Sequence, residues 1–241
     1  IELRSSDAKL IDALRRVIPP GASITAPGAA TLVYTLVAAD GSYAFHSDGR
    51  RVAESATLEE ILDQLESALH FHVAVAARTR LFVHAGVVGW NGGAIVLPGR
   101  SHAGKSSLVA ALVRAGATYY SDEYAVLDDE GLVSPFARFL GIRDDTGRTR
   151  RVDPRTLGSV GDLPLPVSRV IVTRHVAGAE WCVEPMSPAE TVLALFDNTL
   201  AARSRPADAL RILGTVARRA SGFRGERGDA GAAVEQLLTV S

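Results

Sequence analysis

A short run near the middle of the chain has the residue types and spacing that bind phosphate. Gly99, Gly104, Lys105 and Ser106 fill every fixed position of the pattern G-x-x-x-x-G-K-[ST]. In such a loop the glycines let backbone N–H groups approach phosphate oxygens. The Lys105 ammonium would contact the β- and γ-phosphates, and the Ser106 hydroxyl would ligate Mg²⁺. The pattern predicts a site for a nucleoside triphosphate; the alternative is a glycine-rich turn that carries a lysine by chance.

The whole loop is expected to contact the bound group, which we predict to be ATP with Mg²⁺. The predicted cofactor-binding residues are Gly99, Arg100, Ser101, His102, Ala103, Gly104, Lys105, Ser106 and Ser107. His102 lies inside the loop, where its ring either contacts a phosphate or points into solvent. The sequence has no evident Asn/Thr-Lys-x-Asp signature of guanine recognition, which favours ATP over GTP.

The loop requires a strand before it and a helix after it, and the sequence predicts both. Residues 94–98 are an apolar run typical of a buried strand. Residues 106–115 carry Leu108 and Leu112 at helical spacing, and Gly116 follows where a helix ends. The helix N-terminus would add the positive end of its dipole to the loop amides.

Two acids end the next predicted strand, over residues 117–123. Asp122 and Glu123 therefore come at the end of the strand that follows the loop helix, where ligands of α/β sheets collect. Either carboxylate could hold Mg²⁺ together with Ser106, directly or through water. The other could accept a proton from an attacking hydroxyl. The alternative is a pair of solvated acids.

The histidines and arginines allow more than one interpretation. His84 lies on a strand predicted over residues 81–88 and is either a core residue or part of the site. His70 and His72, on or near the end of an amphipathic helix, are interpreted as structural. No His, Cys and Asp set has metal-ligand spacing, so any metal is expected to arrive with the nucleotide.

A polar stretch over residues 143–155 carries several arginines and many turn-forming residues. It is either a mobile lid that reaches phosphates or an anionic substrate, or a solvated surface loop. Arg138 lies within a strand predicted over residues 136–142 and Arg143 directly follows it, so both are better placed to face the site.

Composition narrows the class of protein. The chain has 241 residues, 47% hydrophobic and 22% charged, which is ordinary for a globular protein of one larger or two small domains. Its net charge of −1 gives no reason to expect nucleic acid or an anionic membrane as a partner. The single cysteine, Cys182, rules out an internal disulfide. We find no apolar run of membrane-span length and no signal-peptide pattern, so we expect a cytoplasmic protein.

The order of predicted elements divides the chain after residue 77. Residues 1–77 are predicted to form a small α+β unit, with a helix over 7–18, a strand pair over 31–38 and 43–46, and a long helix that begins at the capping box of 57–60. Residues 78–241 are predicted to form the phosphate-loop domain. Its further elements are strands over 124–127, 132–134 and 167–173, a helix that begins at Ser187, and helices over 207–220 and 230–238. Strands followed by helices around one loop predict an α/β (α+β) fold.

These motifs, taken in order, resemble the HPr kinase/phosphorylase catalytic domain, and more closely the HPr-kinase-related proteins of bacterial biosynthetic gene clusters. The matching segments are His84-Ala-Gly-Val-Val88, the turn at 90–93, the loop, Gly116-Ala-Thr-Tyr-Tyr-Ser-Asp-Glu123, and Pro135-Phe-Ala-Arg-Phe-Leu-Gly-Ile142. The resemblance covers roughly residues 79–145. It implies a phosphate-loop core of the type shared with phosphoenolpyruvate carboxykinase. Residues 1–77, the small N-terminal α+β unit, show no resemblance to the N-terminal domain of HPr kinases.

The resemblance implies an ATP-dependent kinase that transfers the γ-phosphoryl group to a serine-type hydroxyl of a peptide, protein or small molecule. Lys105 and Ser106 would hold phosphate and Mg²⁺, and Asp122 and Glu123 would serve as base and metal partner. His84 matches a histidine close to the reacting phosphate. The family's oligomeric assembly leaves a homo-oligomer open here.

Three positions depart from the family pattern. His102 stands where a glycine is common, the acid pair is Asp-Glu instead of Asp-Asp, and residues 136–142 contain no counterpart of the family's metal-binding glutamate. Two alternatives to a kinase therefore stay open. One is a non-catalytic module in which ATP orders the arginine-rich stretch and controls docking onto another protein. The other is an ATPase switch.

Overall fold

The structure is a computed structural model that describes residues 1–25, 28–39, 41–99, 104–143 and 148–240, with the side chain of Arg143 left out. Within these residues the chain is a mixed α/β protein with six α-helices and fourteen strands. None of the helices in this described part is both long and apolar enough to cross a membrane. The chain divides into two compact units, Ile1–Val73 and Ala74–Ser241.

The N-terminal unit is a four-stranded sheet with two helices. Its strands are β1 (Glu2–Arg4), β2 (Val33–Ala39), β3 (Ser42–Ser47) and β4 (Arg50–Ser55), and its helices are α1 (Ala8–Leu14) and α2 (Leu58–Ala76), where the last residues of α2 extend past the division. The strands lie in the order β1-β2-β3-β4. β1 runs parallel to β2 and the other pairs are antiparallel. The predicted strand pair forms, whereas β1 and β4 were not predicted.

Local signals set the ends of both helices in this unit. Asp7 caps α1 by accepting the Lys9 N–H at 2.8 Å. The Thr57 hydroxyl accepts the Glu60 N–H at 3.4 Å, but the Glu60 carboxylate bonds to the Ser55 hydroxyl, so only half of the predicted capping box forms.

One apolar side chain of α1 faces away from the core. Leu10 and Leu14 are buried, but Ile11 is 46% exposed. It follows Leu10 by one position, about 100° around the helix, and so leaves the buried stripe.

The C-terminal unit contains the other ten strands, four helices and a single-turn 3₁₀ helix over Pro154–Thr156. In chain order the strands are β5 (Leu81–Trp90), β6 (Gly93–Pro98), β7 (Thr118–Ser121), β8 (Tyr124–Leu127), β9 (Leu132–Ser134), β10 (Leu140–Arg143), β11 (Thr149–Val152), β12 (Leu165–His175), β13 (Cys182–Met186) and β14 (Ser221–Arg227). The helices are α3 (Lys105–Arg114), α4 (Pro188–Phe196), α5 (Pro206–Ala217) and α6 (Ala230–Thr239). Eight strands form one mixed sheet in the order β13-β14-β12-β6-β5-β8-β9, with β7 paired to β5, and β10 and β11 form a separate hairpin.

Alternation along β6 shows how the sequence builds three layers. Ala94 and Val96 pack in a core cluster with residues of α4 and α5 on one face of the sheet. Ile95 and Leu97 pack with residues of α3 and α6 on the other face. Side chains of a strand point alternately to its two sides, so an apolar run such as this one is buried on both.

The directions of the strands determine which strand ends lie at the same edge of the sheet. β6 and β14 each run parallel to β12. β7 and β6 are both antiparallel to β5, so β7 runs in the same direction as β6. The carboxyl ends of β6, β7, β12 and β14 therefore lie at one edge of the sheet. The phosphate-loop segment follows β6 at this edge.

Two segments of the C-terminal unit differ from the predicted elements. The strand expected over 136–142 begins only at Leu140, because Phe136 packs in an aromatic cluster with Phe82 and Tyr124. Part of the arginine-rich stretch forms β11, which pairs with β10, instead of a loop; residues 144–147 lie outside the described part of the chain.

β13 and β14 were not predicted, and β14 lies between the helices predicted over 207–220 and 230–238. Gly222 and Gly225 hide its strand pattern, since glycine is a poor strand former. A Cβ at either position would collide with Thr191 or Cys182, so the close packing of neighbouring segments explains why glycine is needed there.

Candidate functional site

The two described ends of the loop face each other across Lys105. Gly104 has φ 74°, the left-handed region that favours glycine, and caps the N-terminus of α3. The Lys105 Nζ donates to the Gly99 carbonyl at 2.7 Å, so the lysine side chain reaches back to the start of the loop. The predicted phosphate contacts of Arg100, Ser101, His102 and Ala103 lie outside the described residues. Ser107 is exposed on the first turn of α3.

The loop serine and the first acid are in direct contact. Ser106 Oγ donates to Asp122 Oδ2 at 2.7 Å, and Asp122 is only 8% exposed. The Tyr119 hydroxyl lies 3.1 Å from Asp122 Oδ1 and 3.1 Å from the Arg138 carbonyl oxygen. Its proton can serve one acceptor at a time, and the carboxylate is the stronger. Burial, with the charge of Asp122, raises the pKa of Tyr119, so this hydroxyl remains a donor.

The second acid has a different partner. Glu123 forms an ion pair with Arg138, and both side chains are 19% exposed. The Ser121 hydroxyl accepts the backbone N–H groups of Glu123 and Tyr124 at 3.1 and 2.9 Å, which fixes the bend between β7 and β8. Asp122 thus contacts the loop, while Glu123 contacts the segment before β10.

His84 lies beside the beginning of the loop. Its carbonyl oxygen accepts the Gly99 N–H at 3.2 Å, and its own N–H donates to the Asn198 carbonyl at 2.7 Å. Burial, and secondarily the charge of Lys105, lower the pKa of His84 to about 4, so the ring is neutral at pH 7. The antiparallel pairing of β5 with β6 matches Ala85 to Pro98 and so places His84 next to the loop.

The lysine is a partly desolvated cation. Burial lowers the pKa of Lys105 to about 8, and the negative charge of Asp122 opposes this shift. Lys105 is therefore mostly protonated at pH 7. A phosphate placed beside it would restore the electrostatic compensation that the ammonium loses with its hydration shell.

The residues fit a magnesium ion that arrives with phosphates. Mg²⁺ takes oxygen ligands and is usually held by one or two carboxylates together with substrate phosphates. Ser106 and Asp122 offer a hydroxyl and a carboxylate oxygen that already lie in contact. Among the described residues, no group of three or more His, Cys, Asp or Glu side chains could hold a metal ion by itself.

Two residues near this site were missed by the sequence analysis. Tyr119 was treated only as part of a strand, and its spacing from Asp122 was no signal, because residues three apart on a strand point to opposite faces. Arg227 ends β14, is 2% exposed, and donates through Nη2 to the Gly104 carbonyl at 3.2 Å. No local pattern indicated Arg227, because its strand was itself not predicted.

Comparisons with known proteins add little to this geometry. No protein-family model matches the chain. No curated protein sequence matches it either. Among solved structures, the chain is similar to the HPr(Ser) kinase/phosphatase from Coxiella burnetii, with 18% identity over 44% of this chain and 77% of that chain and a TM-score of 0.31. A similarity of this size has no bearing on activity, so the functional conclusion depends on the motifs and contacts described above.

Proposed function

We propose that the protein is an ATP-dependent kinase that transfers the γ-phosphoryl group to a hydroxyl of a peptide, protein or small molecule. The proposal includes a phosphate-loop core of the HPr kinase type. The observation that carries it is the 2.7 Å hydrogen bond from Ser106 to Asp122, two residues 16 positions apart. A glycine-rich turn with a chance lysine would not require a buried carboxylate against its serine.

The proposed binding roles follow from the side-chain chemistry. Lys105 binds the β- and γ-phosphates, and the N–H groups at the start of α3 add hydrogen bonds to phosphate oxygens. Ser106 would ligate Mg²⁺ directly, and Asp122 would contact the ion through water, which leaves this carboxylate able to accept a proton. The ion would neutralise charge on the phosphates. Phosphoryl transfer depends mostly on positioning and on charge stabilisation, so few further groups are required.

The proton acceptor is assigned to Asp122 in preference to Glu123. Asp122 lies against the loop, whereas the carboxylate of Glu123 is committed to Arg138. Glu123 then acts by holding Arg138, and its role as a metal ligand becomes the weaker of the two predicted. His84 is neutral and would contribute a hydrogen bond near the reacting phosphate, without positive charge.

The test is phosphotransfer by the purified chain with ATP and Mg²⁺ over a panel of hydroxyl acceptors, followed by ³¹P NMR. We expect a new phosphoester signal that Lys105→Ala abolishes and that Asp122→Asn slows by about 10²–10⁴-fold. The matched controls are Lys9→Ala, at the other lysine of the chain, and Asp129→Asn, at an exposed acid. An Asp122→Asn variant with the wild-type rate would contradict the proposal.

The second candidate is a nucleotide-binding module without turnover. One observation favours it: both acids already have partners, Asp122 in Ser106 and Tyr119, and Glu123 in Arg138. This candidate predicts ATP binding that Lys105→Ala abolishes, with no phosphoester formed on any acceptor. Binding of a partner protein would then depend on ATP but be insensitive to Asp122→Asn.

A further inference from the structure

Arg227 is a buried cation at the sheet edge where the loop begins. It is the last residue of β14, whose carboxyl end lies at the same edge as that of β6. Only 2% of the residue is exposed. A buried guanidinium is retained where its N–H groups find acceptors, so the acceptors of Arg227 indicate what it does.

The side chain connects the end of β14 to the loop. Nη1 donates to the Gly228 carbonyl at 3.0 Å and Nη2 donates to the Gly104 carbonyl at 3.2 Å. The backbone of Arg227 is held as well, because its carbonyl oxygen accepts the Val176 N–H at 2.9 Å. The contact to Gly104 spans 123 positions in the sequence. The guanidinium therefore reaches the loop from a fixed strand end.

Gly104 is the residue through which this contact can control the loop. In a trans peptide the carbonyl and the following N–H point in opposite directions. The Gly104 carbonyl also accepts the Leu108 N–H at 3.1 Å, the first bond of α3. Holding this carbonyl consequently directs the Lys105 N–H out of the helix end, towards the loop. A Cβ on Gly104 would lie 2.9 Å from Arg227 Nη2, so the guanidinium occupies the space left by the missing side chain.

We propose that Arg227 is a positioning residue of the phosphate loop, which holds the Gly104 carbonyl so that the amides at the start of α3 face the phosphates of a nucleoside triphosphate before it binds. This inference rests on the proposed nucleotide binding. A loop that is already held in its binding conformation loses less conformational entropy when the ligand binds, so the affinity for the ligand is higher.

The test combines ligand affinity with loop dynamics. We would measure Mg·ATP binding by calorimetry, and amide hydrogen exchange of residues 105–108 without nucleotide, for Arg227→Met and Arg227→Lys. Arg224→Met is the matched control, since Arg224 lies on the same strand and contacts Met186 instead of the loop. We expect Arg227→Met to weaken ATP binding about tenfold or more, the size of one lost charge-assisted hydrogen bond. Arg227→Lys should retain part of the ATP affinity that Arg227→Met loses, and Arg224→Met should bind ATP as tightly as the wild type does.

A merely structural role would give a different pattern. It would lower the melting temperature and speed exchange throughout the sheet, whereas loop positioning confines faster exchange to residues 105–108. If Arg227→Met has the ATP affinity and the exchange rates of the wild type, the role of Arg227 is overturned, while the proposed function is unaffected. A wild-type protein that binds no ATP would contradict the proposed function, and the exchange data would then decide whether Arg227 holds the loop. If Arg227→Met does not fold, Arg227→Lys carries the same measurements.

Discussion

The two ends of β6 carry two tight turns that differ in what holds them. The hairpin before β6 turns at Asn91 and Gly92, with φ values of 49° and 77°. This backbone is the one that Asn-Gly adopts in two-residue hairpins, and nothing lies within 4 Å of a Cβ on Gly92. The loop after β6 also contains a left-handed glycine, Gly104, but a distant guanidinium packs against it.

The two turns differ in how far along the chain their contacts reach. The hairpin has the backbone conformation that its own two residues favour. The loop is contacted by three residues from other strands or strand ends: His84 bonds to Gly99, Asp122 to Ser106 and Arg227 to Gly104. The loop that we propose to bind phosphate is thus the turn that polar side chains from far along the chain contact.

Substitution of the two glycines should give the largest contrast. Gly104→Ala adds a Cβ at positive φ and against Arg227, so we expect ATP affinity to fall more than tenfold. Gly92→Ala has the same backbone strain, about 1–2 kcal/mol, in open space, and should lower stability by about that amount while ATP affinity stays unchanged. Calorimetric titration and thermal unfolding of both variants check this. Equal effects of the two substitutions on ATP affinity would remove the distinction between the turns.

The pH dependence of ATP binding should report the environment of Lys105, the lysine of the loop. The free Lys105 has a pKa of about 8, and bound phosphate would raise it. Below pH 8 Lys105 is protonated, and the affinity for ATP should not change with pH. Above pH 8 the amine of the free protein loses its charge, so the affinity for ATP should fall by up to about tenfold per pH unit.

Calorimetry near pH 8 in buffers of different ionisation enthalpy should detect proton uptake on binding. Between pH 5.5 and 7 no change from His84 is expected, because its pKa of about 4 keeps it neutral. Affinity that is constant from pH 7 to 9.5 would mean that the lysine is not desolvated as its burial indicates.

Tyr119→Phe should have the smallest effect and tests a remote support of the loop. It removes the donor to Asp122 Oδ1 and leaves the ring in place. We expect the Mg²⁺ concentration for half-maximal ATP binding to rise by about three- to tenfold, the worth of one hydrogen bond.

The control for this variant is Tyr120→Phe, the neighbouring residue, whose hydroxyl donates to the Leu163 carbonyl at 2.7 Å. Each variant should cost about 0.5–1.5 kcal/mol of stability. Only Tyr119→Phe should change the requirement for Mg²⁺. A shared change in both variants would assign the effect to general loosening of the sheet.

Features with a local cause could be predicted from the sequence. Asn91-Gly92 gave the hairpin, and Ser187 with Glu190 gave a complete capping box at the start of α4. The apolar run before Gly99 and the leucines after Ser106 gave β6 and α3. Each of these depends on residues within a few positions of one another, so a short stretch of sequence contains the whole signal.

Features with a distant cause could not be predicted. Strands β13 and β14 were missed because the glycines of β14 serve close packing against other segments, which no local pattern reports. The different partners of Asp122 and Glu123 were also unpredictable, although the two residues are adjacent. Their directions depend on the bend after β7 and on where the segment before β10 returns to the sheet.

Sequence alone predicts the phosphate-loop pattern, the strand and helix on either side of it, and the two acids after the next strand. Only the folded chain shows that Asp122 is the acid that contacts the loop, that Tyr119 donates to Asp122, and that Arg227 reaches Gly104. Turns and caps are predictable because their hydrogen bonds lie within one short segment. The site is made by side chains whose contacts exist only after strand direction and register have brought four strand ends to one edge.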